Sequence, residues 1–306
     1  MKRLLLFLLG VLLLAGCGEP DMGHFKPGVV NRCRGYPGFL SRTGLGNRVG
    51  MDTRQRGYTG LRVLQQGSHR SWQHPSWDDA GHVGGMDRDK QGNMYLVTAP
   101  EVSLLDNPPK LQNRIYQVNH RSAEMQLWLE LPGKPSLANP FGTMGIFYDC
   151  DTNSLYVSSV AESSPREVKG VIYQIDVATR QIVDQLKGVD AIGVGVFNGV
   201  QHKRLYFGSA RSADVYSVAL DVAGHFTTAV RREFSLAELP DGDTTRVRKF
   251  EFFPPQGQGA SYIMRLKELE FGFRLPAENN LRKRMYLFRF EAVTDRWAFI
   301  ETVPEG

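Results

Sequence analysis

Short runs of apolar residues alternate with polar turns along most of the chain, and one arrangement of such runs occurs four times. In each copy an apolar run is followed by a polar turn, and then by a run that carries a tyrosine beside other apolar residues. Aromatic and β-branched side chains favour pleated strands, and Gly, Asn and Asp favour the turns between them. The four tyrosine-bearing runs are residues 94–97, 155–157, 205–208 and 261–264.

A third and a fourth strand follow in every copy, which gives four strands per unit. The third strands are residues 115–118, 172–175, 215–218 and 285–288. Four short antiparallel strands repeated at about 40–60 residues are typical of a β-propeller. We therefore predict an all-β protein with a single propeller of five or six four-stranded antiparallel blades, in which residues 60–64 belong to a further blade or to part of one.

The pattern predicts little helix and several long loops. Helical turns are expected only at residues 235–239 and 264–271, because no sustained helical periodicity occurs elsewhere. The connections between second and third strands are long, and such loops often bind a ligand, although decoration without a ligand is the alternative. These long connections are residues 99–112, 161–169 and 266–281.

The strand-turn-strand unit MDRDKQGNMYLV at residues 86–97 and the strand VIYQID at residues 171–176 give the chain a family likeness. In these stretches it resembles the NHL, SMP-30 and strictosidine-synthase-like propellers, over roughly residues 80–300. The resemblance implies the propeller fold. Propellers host many unrelated activities, so it implies no single function.

Lactonases of the SMP-30 type hold a metal with Glu, Asn and Asp at the inner ends of the blades, around the central channel. The resemblance therefore implies a candidate ligand or metal site at one channel mouth, formed by Asp79, His82, Asn139, Asp190 and Asp243. Such a set suits a divalent cation (calcium, magnesium or zinc) that could polarise an ester carbonyl and activate water. The Glu expected at the first innermost strand is not evident. The alternative is that these residues cap strands and bind channel water.

The first residues predict export and a lipid anchor. Lys2 and Arg3 precede an apolar run at residues 4–14, which is too short to span a membrane comfortably. The run ends in Leu-Ala-Gly-Cys at residues 14–17, which looks like a bacterial lipobox, so we expect cleavage before Cys17 and lipid attachment to its thiol. In lipoproteins of Gram-negative bacteria an Asp after the cysteine favours the inner membrane, so this resemblance and Gly18 imply the outer membrane, facing the periplasm. The alternative is an ordinary secretory signal with an incidental cysteine.

These signals divide the chain into a signal peptide at residues 1–16, a tether at 17–37 and a propeller at 38–306. Cys33 and Cys150 either pair in a disulfide, which an exported protein would retain, or remain separate thiols. The formal charge of the whole chain is +5, a surplus too small to indicate a nucleic-acid partner.

No complete catalytic set accompanies the strong anchor signal and repeat. We therefore expect an envelope lipoprotein whose propeller is a binding or scaffolding module for an envelope protein or a small ligand. A metal-dependent lactonase or esterase of the SMP-30 type is the competing expectation. An assembly factor of the envelope is a third.

Overall fold

The computed structural model describes residues 22–23, 25–53, 57–98, 108–136, 138–239, 245–273 and 284–305. Within them the chain forms twenty β-strands and four short 3₁₀ helices. The first strand, β1 (Gly28–Val29), lies outside the repeats. The 3₁₀ helices are Gly38–Arg42, Pro75–Ala80, Pro109–Leu111 and Leu236–Glu238.

The remaining strands form five antiparallel blades in chain order, and each blade is a sheet of consecutive strands. Blade 1 consists of β2 (Val49–Asp52), β3 (Arg62–Gln65) and β4 (Ser71–Trp72). Blade 2 consists of β5 (Val83–Arg88), β6 (Met94–Thr98), β7 (Arg114–Val118) and β8 (Met125–Glu130). Blade 3 consists of β9 (Thr143–Asp149), β10 (Ser154–Ser159), β11 (Val171–Asp176) and β12 (Gln181–Lys187).

Blade 4 consists of β13 (Ala191–Asn198), β14 (Lys203–Ser209), β15 (Asp214–Leu220) and β16 (Phe226–Ser235). Blade 5 consists of β17 (Arg246–Phe253), β18 (Ile263–Leu269), β19 (Arg284–Glu291) and β20 (Arg296–Pro304). The fold is a five-bladed β-propeller, so the predicted all-β class is confirmed and the predicted five or six blades are five.

Blade 5 departs from the prediction in one strand. Residues 264–271 were expected to allow a helical turn, but β18 runs through Ile263–Leu269 and pairs with β17 on one side and β19 on the other. Met264 and Leu266 are buried while Arg265 and Lys267 between them are half-buried, which is the period of two that a strand requires. The helical interpretation of this stretch was wrong, and the long connection begins after β18.

Apolar contacts join the consecutive blades from 1 to 5. Leu61, Val63 and Trp77 meet Met94 and Tyr116 of blade 2 in one buried cluster. A second cluster joins blades 2 and 3, and a third runs from blade 3 through blade 4 to blade 5. Burial of these side chains provides the main stabilisation of the four interfaces.

Glycines allow the innermost strands to approach one another closely near the axis. A Cβ atom at Gly195 of β13 would lie 2.6 Å from Cβ of Phe250 on β17, and one at Gly193 would lie 2.7 Å from the backbone of Arg248. Both distances are too short for a side chain. The alternating glycines in this strand therefore serve packing.

The amino-terminal segment from Phe25 to Leu40, here called the strap, crosses one end of the propeller. β1 pairs with Phe197 and Asn198 at the end of β13, so the strap adds a strand to the inner edge of blade 4. Further along, Gly35 donates its N–H to the carbonyl of Asp89, and Phe39 donates to that of His120. Most of these strap residues belong to the segment predicted as a tether.

A disulfide between Cys33 and Cys150 fixes the strap to the β9–β10 hairpin of blade 3. The flanking acids Asp149 and Asp151 both bind the ammonium of Lys203 in blade 4, with Nζ–O distances of 2.8 Å. The Lys203 side chain is fully buried, and the ring of Phe25 lies 4.7 Å from its Nζ. Strap, blade 3 and blade 4 are thus joined at one place by a covalent bond and a buried ion pair.

Candidate functional site

The centre of the propeller holds a cavity of about 1510 Å³. Its wall includes the inner strands of all five blades, and Asn31, Arg34 and Tyr36 of the strap line it as well. The strap lies across one end of the cavity, here called the strap end, and the other end is called the mouth end. Each innermost strand starts at the mouth end and runs toward the strap end. This volume exceeds the roughly 300–1,000 Å³ of ordinary small-molecule pockets.

The cavity extends sideways between blade 5 and blade 1, in a space that we call the seam. Leu64 and Ser71 of blade 1 line the cavity together with Arg265 and Lys267, which lie on the second strand of blade 5. Among the buried clusters of the described residues, none joins these two blades. The seam therefore separates two sheet faces, whereas the corresponding faces at the other four interfaces pack against each other.

The side chains that line the cavity carry a surplus of positive charge. Three of the basic residues are Arg34, Arg62 and Arg88, and four more lie on blade 5: Arg248, Lys249, Arg265 and Lys267. The acidic residues are Asp52, Asp87, Glu251 and Glu305. Seven basic and four acidic side chains give this lining a formal charge of +3 with its histidines neutral.

Two acids on the blade 5 side are held between cations. Glu251 accepts from Nε of Arg265 at 2.7 Å and pairs with Nζ of Lys249 at 3.2 Å. Burial alone would raise the pKa of Glu251, but the charges of Lys249, Arg265 and Lys267 outweigh it and hold the pKa below its usual value. Glu251 is consequently ionised at neutral pH.

Glu305 is held in a similar way at the mouth end. Nη2 of Arg248 donates to both of its carboxylate oxygens, at 2.6 and 2.7 Å, and Nζ of Lys267 lies 3.1 Å away. Burial raises the pKa of Glu305, but the hydrogen bond and the charge of Arg248 lower it by more. The pKa of Glu305 is therefore below its usual value. Two groups, each of one carboxylate and two cations, thus lie on the blade 5 wall.

At the strap end, Arg34 binds Asp87 of β5 and also donates to the carbonyl of Tyr148 at 3.3 Å. Asp87 accepts from the backbone N–H of Tyr148 at 2.7 Å, so this carboxylate joins blades 2 and 3. Burial is the largest influence on Asp87 and raises its pKa, although Arg34 opposes the shift. The strap therefore closes this end of the cavity with a bonded arginine.

The residues predicted at the channel mouth have different environments. Asp79 is exposed on the 3₁₀ helix Pro75–Ala80, whereas His82 is buried and lines the cavity. Asn139 donates Nδ2 to the carbonyls of Val160 at 2.6 Å and Ser163 at 2.8 Å. These contacts make Asn139 a tie between two loops of blade 3.

Asp190 is also engaged by neighbouring loops. It accepts from the hydroxyl of Ser163, from the N–H of Gly170 at 2.9 Å and from Nε of Arg211 at 2.5 Å. Ser163 is the residue at which the contacts of Asn139 and Asp190 meet. Asp243 lies outside the described residues, as do Cys17 and the whole predicted signal peptide.

No group of three or more His, Cys, Asp or Glu side chains in the described ranges is arranged to hold a metal ion. Beside the mouth lies an apolar group, in which the rings of Phe141 and Phe271 are 4.9 Å apart. Phe141 and Ile192 of this group belong to the cavity wall. One part of the wall at the mouth is thus apolar, and Asp190 beside it is bonded to protein groups.

Sequence reasoning missed the seam. Its signal was the alternation of charged with apolar residues in two consecutive strands, Lys249 and Glu251 in β17 and Arg265 and Lys267 in β18. An inner strand that packs on both faces would be apolar at all of these positions. Charge on alternate positions indicated that one face of the last blade has no apolar partner.

No family model matches the chain, and no curated protein is similar to it in sequence. Among solved structures it is similar to Kuenenia stuttgartiensis hydrazine synthase, with TM-score 0.42 and 11% identity, over 79% of this chain and 53% of that one. It is similar to the Dos1 propeller, with TM-score 0.43 and 12% identity, over 72% and 48%. The chain therefore spans about half the length of these two structures.

A third similar structure is a functionally unknown protein from Desulfotomaculum acetoxidans. The TM-score is 0.45 and the identity 9%, over 85% of this chain and 81% of that one. In the described part of the chain, no helix has both the length and the apolar character needed to cross a membrane.

Proposed function

We propose that the protein is a lipid-anchored binding protein of the bacterial envelope, which holds a ligand in its central cavity. The observation that carries the proposal is the seam, where two sheet faces border a cavity of about 1510 Å³ and have no apolar cluster between them. Leaving sheet faces unpacked forgoes the stabilisation that the other interfaces gain, and a ligand site accounts for that cost.

The anchor part of the proposal rests on the sequence of residues 1–17. Cleavage before Cys17 and acylation of its thiol would tether the propeller to the outer membrane, facing the periplasm. An oxidising compartment would retain a disulfide such as Cys33–Cys150, which supports this location.

One experiment tests the anchor. Cells that express the full chain are labelled with radioactive palmitate, and the Cys17→Ala variant is compared with a Cys33→Ala control. We expect label in the wild type and the control but not in Cys17→Ala. Equal labelling of all three chains would refute attachment at Cys17.

A second experiment tests the cavity. The full chain is extracted from membranes in mild detergent and examined by native mass spectrometry for a bound molecule. Leu64→Trp places an indole in the seam and should abolish the bound mass, whereas Val183→Trp on an exposed outer strand should retain it. A wild-type protein without bound mass, or a mass that persists in Leu64→Trp, would contradict a ligand in the seam.

A further inference from the structure

The geometry points to a short acidic oligosaccharide, with two or three carboxylates, as the ligand of the central cavity and its seam; this inference rests on the proposed function. The formal charge of +3 on the lining is confined within low-dielectric walls, which concentrates the positive potential. A ligand with two or three negative charges would neutralise it.

Two of the cations in the lining are not held by any acid that the structure describes. On blade 5 the carboxylates of Glu251 and Glu305 already engage the basic side chains around them. By contrast, neither Arg62 nor Arg88 forms an ion pair with any described residue; Arg62 packs its guanidinium on the ring of Tyr58 at 4.2 Å. A guanidinium can bind a carboxylate through two parallel hydrogen bonds, so these two arginines suit ligand carboxylates best.

The size and walls of the cavity favour an oligosaccharide over a single small acid. About 1510 Å³ is more than one metabolite fills, so several linked units can be held. The walls of the seam are sheet faces, whose backbone groups are already used in strand pairing, and recognition there depends on side chains.

Neutral groups that line the cavity and its seam suit sugar hydroxyls and sugar rings. Gln66 and Ser71 on blade 1 offer an amide and a hydroxyl, and Phe253 and Tyr36 offer aromatic surface beside the cations. Tyr36 is 61% exposed although it is a large aromatic side chain, so its ring is accessible to a ligand in the cavity. An acidic peptide could meet the same cations, and the test below separates the two.

The test measures binding of trigalacturonate, which carries three carboxylates, to the full chain by isothermal titration. Neutral maltotriose and triglutamate are the comparison probes. We expect trigalacturonate to bind, maltotriose not to bind, and triglutamate to bind at least about tenfold more weakly. Affinity for trigalacturonate should fall as sodium chloride rises, because the contacts are ionic.

Variants locate the site. Arg62→Gln and Arg88→Gln should each weaken trigalacturonate binding about tenfold, which is the effect of losing one charge-assisted contact. Arg289→Gln is the matched control: it lies on the blade 5 sheet outside the cavity wall, beside Glu291 at 3.5 Å, and should bind like the wild type. Thermal denaturation of all variants checks that each one folds.

The outcomes are distinguishable from those of the proposed function. Equal binding of maltotriose, tighter binding of triglutamate, or unchanged affinity in both arginine variants would overturn the acidic oligosaccharide. If Leu64→Trp still removed the bound mass in that case, the proposed binding function would stand. The ligand would then belong to another chemical class.

Discussion

The two faces of the blade 5 sheet differ as strongly as the inside and outside of a protein, although the same strands form both. Toward blade 4, Phe250, Phe252 and Phe288 are buried in the largest apolar cluster. Toward blade 1, Lys249 and Arg265 border the seam. A propeller of five similar units thus has four apolar interfaces and a fifth junction that charged groups line.

The seam differs from the four apolar interfaces in the groups that line it. Strands at the other interfaces place aromatic rings in contact across blades, as for Phe197 with Phe252 at 5.5 Å. The seam instead holds charged groups that keep their ionised state, because cations surround each carboxylate. Changes on the apolar face should therefore affect stability, and changes on the seam face should affect binding.

The largest effect is expected from Phe252→Ala, which removes a buried ring between blades 4 and 5. We expect a loss of about 3–5 kcal/mol in the free energy of unfolding, measured by urea denaturation. The matched control is Phe253→Ala, one residue along β17, which is half-buried and lines the cavity. It should cost about 1 kcal/mol or less. Similar losses for the two variants would remove the distinction between the faces.

A comparable loss is expected where blades 3 and 4 share a buried ion pair. Lys203→Met removes the cation and leaves Asp149 buried without it, at a cost of about 3–5 kcal/mol. Lys169→Met removes an exposed pair with Glu167, and should change the free energy of unfolding by about 0–1 kcal/mol. An unchanged urea midpoint for Lys203→Met would show that this ion pair does not stabilise the interface between blades 3 and 4.

Loss of the disulfide should have a smaller effect. The double variant Cys33→Ala, Cys150→Ala frees a loop of 117 residues and should lower the free energy of unfolding by about 2–4 kcal/mol. Reductant should destabilise the wild type to the same extent and leave the double variant unchanged. If reductant also destabilises the double variant, the effect does not come from this bond.

The smallest effect is the pH dependence of the seam. The pKa of Glu251 is below its ordinary value of 4.5 in the folded chain, so its contribution to stability is fully present above that value. The contribution is lost as pH falls through the lowered pKa. Glu251→Gln should therefore make stability less dependent on pH in this acidic window, as measured by urea denaturation at several pH values. A pH dependence identical to that of the wild type would contradict the lowered pKa.

Much of the fold was predictable because four of the five blades repeat a tyrosine-bearing run. The predicted runs at residues 94–97, 155–157 and 205–208 coincide with β6, β10 and β14. The prediction was poorest in β18, because residues 264–271 were expected to allow a helical turn. The segment forms a strand because it pairs with β17 and β19, and a single sequence does not show that pairing.

The candidate site was predictable in part. The order of strands places Asn139 and Asp190 before innermost strands, but the loops that bind them supply Ser163 and Arg211 from elsewhere in the sequence. Such long-range partners have no signal in a single sequence. Predicting the seam would have required the knowledge that no apolar cluster of the described residues joins blade 1 to blade 5. The alternating charges in β17 and β18 indicated only that one face of blade 5 is polar.

The strap determines how the body would respond to force applied at its amino end. A pull on Phe25 would first load the short ladder between β1 and β13, and then reach the covalent link from Cys33 to Cys150. Beyond that link, tension would enter the β9–β10 hairpin and bypass blades 1 and 2 altogether. The two blades nearest the amino end in sequence are therefore mechanically shielded, and Arg34, just past the link, keeps its place under load.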